Sequence, residues 1–146
     1  MSFLAETSID LSVSPEIAFD ALADHAGWAA WMPRTFVPVG PTHGTLRAGD
    51  RILVRIAHGP MPTPIVVSVV DRAREITWRG GPRGVLAAEH RFLFEPNGAG
   101  GTRVRSVERW DGALAPLVRP ILKRLAERIG AQQLAGLARA VRGRSG

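Results

Sequence analysis

The stretch VLAAEHRFLFEPNGAGGTRVRSVERW, residues 85–110, decides the fold. Within it, residues 85–94 and 103–110 alternate apolar and polar side chains, and a Pro-Asn-Gly cluster at 96–101 separates them. Alternation with a period of two indicates a strand with one buried face, and such a cluster between two runs indicates a turn. The stretch therefore predicts an antiparallel hairpin.

The alternation also predicts which side chains of this hairpin share a face. Those facing inward are His90, Phe92, Phe94, Val104, Ser106, Glu108 and Trp110. If Phe94 opposes Val104, then His90 opposes Glu108 in the same register, with Cβ atoms about 4.5–5.5 Å apart. A bulge in the Gly-rich turn would break this register. We expect the opposite face of the second strand to be exposed, because it carries Arg103, Arg105 and Arg109.

Five shorter runs precede the hairpin, at residues 3–11, 36–39, 51–57, 65–70 and 75–78, and predict further strands. Ser14-Pro15-Glu16 predicts a helix start, with Ser as the N-cap and Pro at the first helical position. A second short helical segment covers residues 25–31. Residues 113–141 space apolar side chains three to five apart and predict a long helix. We expect Pro116 and Pro120 to delay its regular start.

The order of these elements predicts an α+β fold. The turns are too short for parallel crossovers, which need a dozen or more residues, so the sheet is antiparallel. The apolar face of the sheet must be buried against another element, and only the last helix is long enough to cover it. We predict a curved antiparallel sheet of about seven strands wrapped around a long C-terminal helix, with two short helices after strand one. The prediction is a single domain over residues 1–146 with a frayed tail at 143–146 and a cavity between sheet and helix.

Composition excludes several classes of protein. With 45% hydrophobic and 22% charged residues, the 146-residue chain is typical of globular proteins, and without cysteine it has no disulfide or thiol nucleophile. No apolar run reaches the ~18 residues of a membrane span, and no basic leader precedes an apolar stretch, so we expect a cytoplasmic protein. The net charge of +6 comes from Arg, since Lys123 is the single lysine. This surplus is modest, so nucleic acid is not a favoured partner.

Short segments in a fixed order resemble the helix-grip (SRPBCC) superfamily, which includes START domains, the birch-pollen-allergen fold and polyketide cyclases/dehydratases. They lie at residues 14–19, 31–33, 46–51, 76–80, 89–92, 101–104 and 108–112. The resemblance implies a helix-grip architecture enclosing a ligand cavity. It implies no particular activity, because the superfamily includes lipid carriers, cyclases, hormone receptors and chaperone activators. Met32 replaces a residue that is polar in many relatives, which implies a more apolar cavity.

An inward His90–Glu108 pair has two interpretations. It could anchor a ligand hydroxyl or carbonyl group, or act as a general acid/base couple, and these are the candidate catalytic residues. It could equally be a buried pair that completes the hydrogen bonding of the core. Relatives often carry His and Glu on these strands, which favours contact with a ligand.

The predicted ligand-binding residues are Trp31, Phe92, Phe94, Val104, Ser106, Trp110 and Gln133. Aromatic walls suit flat apolar ligands, although a Trp on a strand is often plain core. Gln133 lies between Gly130 and Gly136 in the predicted helix. The glycines either leave room for a ligand beneath the helix or pack it closely against the sheet. Met61, between prolines, could form a stiff lip at the cavity mouth or an ordinary loop.

The sequence lacks the motifs typical of metal sites, dinucleotide-binding sites and serine hydrolases. His25, His43 and His58 have no metal-ligand spacing, so no metal site is predicted. The Gly98–Gly101 loop leads into a strand, so it offers no helix N-terminus to a dinucleotide, and we predict no cofactor. No Gly-x-Ser-x-Gly elbow supports a hydrolase.

Three functions remain at this point. The favoured one is binding of an apolar small molecule, such as a lipid or an aromatic or polyketide-like metabolite. The first alternative is a cofactor-independent cyclase/dehydratase-like enzyme that uses His90 and Glu108. The second is a protein-interaction module of the chaperone-activator or toxin-like kind. Bases on the last helix, among them Arg124 and Arg128, leave a weak contact with an anionic surface open, and a homodimer is also open.

Overall fold

Seven antiparallel strands form one curved sheet in the computed structural model, which describes residues 2–142 and 144. The strands are β1 (Ser2–Leu11), β2 (Phe36–Val39), β3 (Arg51–Ile56), β4 (Thr63–Asp71), β5 (Glu75–Gly80), β6 (Ala87–Pro96) and β7 (Thr102–Asp111). Their order across the sheet is β1-β7-β6-β5-β4-β3-β2. The helix-grip fold predicted from the sequence is confirmed.

Two short helices carry the chain from β1 at one edge to β2 at the other. The first, α1 (Pro15–Ala23), begins as predicted, because the Ser14 hydroxyl accepts a hydrogen bond from the Ile17 backbone N–H at 3.3 Å. A single 3-10 turn (His25–Gly27) leads into α2 (Trp28–Trp31). Strand β2 contains Pro38, which an edge strand tolerates because one side of its backbone faces solvent.

The β6–β7 hairpin has the predicted register, without a bulge: His90 is paired with Glu108, and Phe94 with Val104. Strand β6 begins two residues later than predicted, because the N–H groups of Val85 and Leu86 donate to the Pro82 carbonyl in a turn. The face opposite the core carries ion pairs between β7 and β1. Arg105 lies 2.6 Å from Glu6, and Arg103 lies 3.3 Å from Asp10.

The last helix, α3 (Ala115–Arg142), lies against the concave face of the sheet. The expected delay of its start by prolines is wrong. Pro116 is the second helical residue, where the N–H has no partner inside the helix, and Pro120 is accommodated at an exposed position of the second turn.

The two glycines of α3 are explained by close packing rather than by room for a ligand. A Cβ atom at Gly130 would lie 3.0 Å from the Thr7 hydroxyl and 3.1 Å from the Ser106 hydroxyl, and one at Gly136 would collide with the Trp31 carbonyl oxygen. The predicted frayed tail lies outside the described residues, apart from Arg144, whose guanidinium is 3.3 Å from the Asp24 carboxylate. Within the described part of the chain, no helix has the length and hydropathy of a bilayer span.

Candidate functional site

A cavity of about 260 Å³ lies between the concave face of the sheet and α3. Its walls come from strands β2 to β7 and from one face of the helix. Those described residues that line it are Phe36, Ile56, Thr63, Ile65, Trp78, Gly80, Gly81, Ala88, His90, Glu108, Trp110, Leu122, Leu125, Ala126, Ile129 and Gln133. Largely apolar walls with few polar groups are typical of small-molecule sites.

The polar centre of this cavity is a short chain of side chains across β6 and β7. His90 Nδ1 lies 3.3 Å from a Glu108 carboxylate oxygen, and His90 Nε2 lies 2.7 Å from Ser106 Oγ. The alternation of the strands explains this, since all three residues face inward and His90 is opposite Glu108. Ser106 is covered by α3 at Gly130, so it orients the imidazole and does not reach the cavity.

Burial shifts the protonation of both ionisable groups toward the neutral form. His90 is 4% exposed and packs between the rings of Trp78 and Phe92, and this desolvation lowers its pKa to about 3. Desolvation raises the pKa of Glu108 to about 7, against the smaller, opposing effect of a hydrogen bond from the Trp110 side chain. A neutral imidazole therefore lies beside a carboxyl group that titrates near neutral pH.

Two proton arrangements are compatible with these distances. When Glu108 is protonated, its O–H can donate to His90 Nδ1, and Nε2–H donates to Ser106. When Glu108 is ionised, Nδ1–H can donate to the carboxylate, and the Ser106 hydroxyl donates to Nε2. The imidazole can change tautomer between these states without becoming charged, so Glu108 can gain or lose a proton within an apolar cavity.

One further polar side chain of the cavity wall has no hydrogen-bond partner among the described residues. Both amide atoms of Gln133, a residue that is 1% exposed, are unpaired. Gln133 projects from α3, and Trp110 follows Glu108 on the same face of β7. A buried polar group without a partner is uncommon in native proteins and requires an explanation.

A larger groove of about 810 Å³ crosses the outer side of the sheet. Arg51, Arg79, Arg83 and Arg109 contribute to its walls. It is shallow, and neither His90 nor Glu108 reaches it. The inner cavity is the better candidate site, because enclosure and converging polar groups matter more for a small ligand than volume.

Residues 2–142 match the family described as polyketide cyclase / dehydrase and lipid transport. The match covers every element of the fold. The chain belongs to this family. No curated protein matches its sequence.

Solved structures share the fold of this polyketide cyclase/dehydrase family member at low sequence identity. Norcoclaurine synthase from Thalictrum flavum, in complex with dopamine and hydroxybenzaldehyde, has a TM-score of 0.76 at 9% identity, covering 100% of this chain and 90% of that one. A hypothetical protein from Helicobacter pylori has a TM-score of 0.73 at 14% identity, covering 94% and 86%. A protein from Thermus thermophilus has a TM-score of 0.71 at 17% identity, covering 99% and 100%.

The structure of this family member brings four of the predicted site residues together at the inner cavity: His90, Glu108, Trp110 and Gln133. The other five lie in the core and outside the cavity lining: Trp31, Phe92, Phe94, Val104 and Ser106. Trp31 packs beneath Gly136 at the far half of α3, and Phe94 packs against Phe19 of α1. Inward orientation is therefore necessary for contact with the cavity, but it is not sufficient.

Several lining residues are not among the predicted ligand-binding residues. Trp78 has an inward position on β5, and Leu125 and Ile129 share a helix face with Gln133 at spacings of four. The helical spacing was a usable signal, since residues i, i+4 and i+8 lie on one face. Phe36 and Ile56, which oppose each other on β2 and β3, could not be assigned without the curvature of the sheet.

Proposed function

We propose that this protein binds a small, largely apolar molecule in the inner cavity. The observation that carries the proposal is the Gln133 side chain, which is 1% exposed, borders the cavity and has neither amide atom paired with a described residue. Leaving such groups unpaired costs about 1–3 kcal/mol. A ligand with a polar group opposite Gln133 would remove this cost, and its apolar remainder would pack against Trp78 and Ile129.

The volume of the cavity limits the size of the ligand. At about 260 Å³ it lies just below the usual range of roughly 300–1,000 Å³ for small-molecule sites. This favours a ligand of one or two rings over a sterol or a long fatty acid. The polar groups favour a carbonyl or hydroxyl substituent, because the unpaired amide of Gln133 can both donate and accept hydrogen bonds.

Thermal unfolding with a panel of ligands tests the proposal. The panel contains hydroxybenzaldehyde and dopamine, which the norcoclaurine synthase structure holds, together with bicyclic phenols and ketones, a sterol and a long-chain fatty acid. A ligand at 100 times its Kd adds about 2.7 kcal/mol, which corresponds to about 5–10 °C for a domain of this size. We expect a shift with one- or two-ring compounds and none with the sterol.

A matched pair of variants ties any shift to the cavity. Ala126→Leu fills part of the cavity, whereas Ala131→Leu places the same side chain on the exposed face of the same helix. Binding should be lost in the first variant and retained in the second. Equal shifts in both variants would show that the ligand binds elsewhere, and the absence of any shift across the panel would contradict the proposal.

A second candidate function is cofactor-independent proton transfer at a carbon next to a carbonyl group. The observation that favours it is the buried Glu108 carboxyl, whose pKa burial raises to about 7, beside the neutral His90. As a carboxylate Glu108 would accept the proton, and as a carboxylic acid it would return the proton to another atom of the substrate. A group that titrates near the working pH suits both steps.

Substitution separates this enzymatic function from binding alone. Glu108→Gln or His90→Gln should lower turnover by roughly 10²–10⁴ if either group transfers the proton, with the ligand-induced thermal shift largely retained. Turnover that survives both substitutions would exclude the proton-transfer role. A compound that binds but is never converted would leave binding as the function.

A further inference from the structure

The first three turns of α3 expose apolar side chains to an unusual degree. Leu117 is 77% exposed and Ile121 is 79% exposed, and no residue between Ala115 and Ala126 is buried. Leu122 and Leu125 of this part of the helix line the inner cavity, whereas Leu117 and Ile121 are not among the lining residues. A single exposed leucine needs no explanation, but two neighbouring apolar side chains on one helix face form a surface.

Three further exposed apolar side chains lie in loops that border cavity-lining segments. Leu114 is 42% exposed, and its N–H donates at 3.0 Å to the carbonyl of Val85, itself 46% exposed. Met61, in the loop between β3 and β4, is 73% exposed and lies two residues before Thr63 of the cavity lining. We call these five residues, Met61, Val85, Leu114, Leu117 and Ile121, the mouth rim.

The chain segments that carry the mouth rim contain no acidic residue. Segments 57–64, 81–88 and 112–126 have neither Asp nor Glu, whereas they hold Arg83, Arg119, Lys123 and Arg124. Lys123 pairs with Glu127 at 2.8 Å. Arg83, Arg119 and Arg124 form no ion pair with any residue the structure describes. The segments that carry the apolar mouth rim are therefore positively charged.

We propose that the mouth rim docks on the surface of an anionic lipid bilayer. Apolar side chains flanked by arginine and lysine are the combination that holds an amphipathic helix at an anionic headgroup layer. A second copy of the chain fits less well, because symmetric pairing of this face would bring two sets of unpaired arginines together. Docking would turn the cavity toward the bilayer, so that an apolar ligand, if the cavity binds one as proposed above, could enter without crossing water.

Sedimentation with lipid vesicles tests the docking with the full chain and no ligand. We expect the protein to bind vesicles that mix phosphatidylglycerol with phosphatidylcholine, and to bind vesicles of phosphatidylcholine alone much more weakly. Binding should also weaken as salt concentration rises, since salt screens exposed charges. Equal binding to both kinds of vesicle, or binding to neither, would overturn the proposal.

Variants identify the surface responsible. The double variant Arg119→Gln, Arg124→Gln should lower the partition coefficient of the protein into anionic vesicles about 25-fold. Each base removed from the membrane surface accounts for about a fivefold decrease. The double variant Leu117→Gln, Ile121→Gln should lose the vesicle binding that the parent protein keeps at high salt. Arg139→Gln removes an exposed base near the other end of the same helix and should leave binding unchanged. All these side chains lie outside the cavity lining and are exposed, so the variants should keep the melting temperature of the parent protein.

Three outcomes separate this proposal from its alternatives. If gel filtration shows a dimer that the Leu117→Gln, Ile121→Gln variant loses, the rim is an interface between copies and the membrane proposal fails. If the vesicle assay fails but the thermal shift with small ligands persists, the docking is wrong and the cavity function stands. If vesicles bind as expected and no small ligand does, docking stands and the cavity function fails.

Discussion

Glu108 has a carboxyl group whose protonation is coupled to folding. Its side chain is 13% exposed, and burial raises its pKa to about 7 from the ordinary value of 4.5. The native state therefore holds this proton more tightly than the unfolded state between about pH 4.5 and pH 7. The stabilisation is present below pH 4.5 and is lost as the pH rises through 7.

Glu108→Gln should stabilise the protein at alkaline pH relative to acidic pH, because the amide stays neutral. The unfolding free energy of the variant minus that of the parent should increase by up to about 3 kcal/mol between about pH 5 and about pH 8. Urea unfolding at the two pH values measures it. Glu95→Gln, at an exposed position of β6, is the control and should change the unfolding free energy by the same amount at both pH values. A pH-independent effect of Glu108→Gln would show that the carboxyl is not desolvated.

Gln133 provides a second test at the scale of a single residue. Replacing its unpaired buried amide with Leu should raise the unfolding free energy by about 1–3 kcal/mol and weaken the binding of any ligand that carries a carbonyl or hydroxyl group. Urea unfolding and ligand titration of the same variant measure both effects. Destabilisation by Gln133→Leu would indicate that the amide contributes to the fold. Gln132→Leu is a poor control, because Gln132 accepts a hydrogen bond from Thr35 at 2.6 Å.

At the scale of the element, α3 combines two halves with different tasks. Its second half packs on the sheet through buried residues such as Ile129, Leu134 and Leu137. Its first half bridges the cavity and buries nothing between Ala115 and Ala126. The two glycines belong to the packed half, where they let the helix backbone approach the sheet and α2 closely.

Gly136→Ala tests whether this approach or helix propensity decides the stability of α3. Propensity alone predicts stabilisation by about 1 kcal/mol, whereas the collision of the new methyl group with the Trp31 carbonyl predicts destabilisation by about 1–3 kcal/mol. We expect destabilisation, measured as a lower melting temperature. The comparison variant Ala135→Gly, at an exposed position, should cost about 1 kcal/mol from propensity. A higher melting temperature of the Gly136→Ala variant would contradict the close packing of Gly136 on Trp31.

At the scale of the whole molecule, buried ionisable groups set the pH range of stability. Burial lowers the pKa of His90 to about 3, and burial, followed by the charge of His43, lowers the pKa of His25, whose Nδ1 accepts a hydrogen bond from the His43 backbone N–H. Below about pH 6.5, each of these histidines takes up a proton when the protein unfolds. The stability that they contribute is therefore present above about pH 6.5, the ordinary pKa of histidine, and is lost as the pH falls below it.

These opposing dependences predict a maximum of stability near pH 6.5. Below it, His90 and Glu108 act in opposite directions as the pH falls, and the lowered pKa of His25 adds to the destabilisation of the native state. Above it, Glu108 destabilises the native state until about pH 7. Unfolding free energies measured across the pH range should show this maximum, and His90→Gln should make the acid side shallower. A maximum well above pH 8 would contradict the assignment of Glu108.

The sequence predicted much of the architecture, because its strands and turns are local features. The alternation in residues 85–110 correctly predicted the pairing of His90 with Glu108, since a hairpin register depends on a period of two and a short turn. The ends of α3 were predicted to within two residues, but its tolerance of Pro116 and Pro120 was not, because that depends on their positions near the helix start. The site was predicted in part, because facing inward does not distinguish a cavity wall from closed core.

By itself, the sequence determined the order of the elements, the antiparallel sheet, the helix that covers it and the inward pair His90–Glu108. These follow from periodicity and turn chemistry, which act between residues close in sequence or paired across one hairpin. Only the tertiary structure decided where the cavity lies. The curvature of the sheet and the close approach of α3 at Gly130 and Gly136 fill one half of the interior and leave the other open at Gln133 and Trp110. The position of the cavity depends on how closely elements that are distant in sequence pack against each other, and no local sequence pattern encodes this packing.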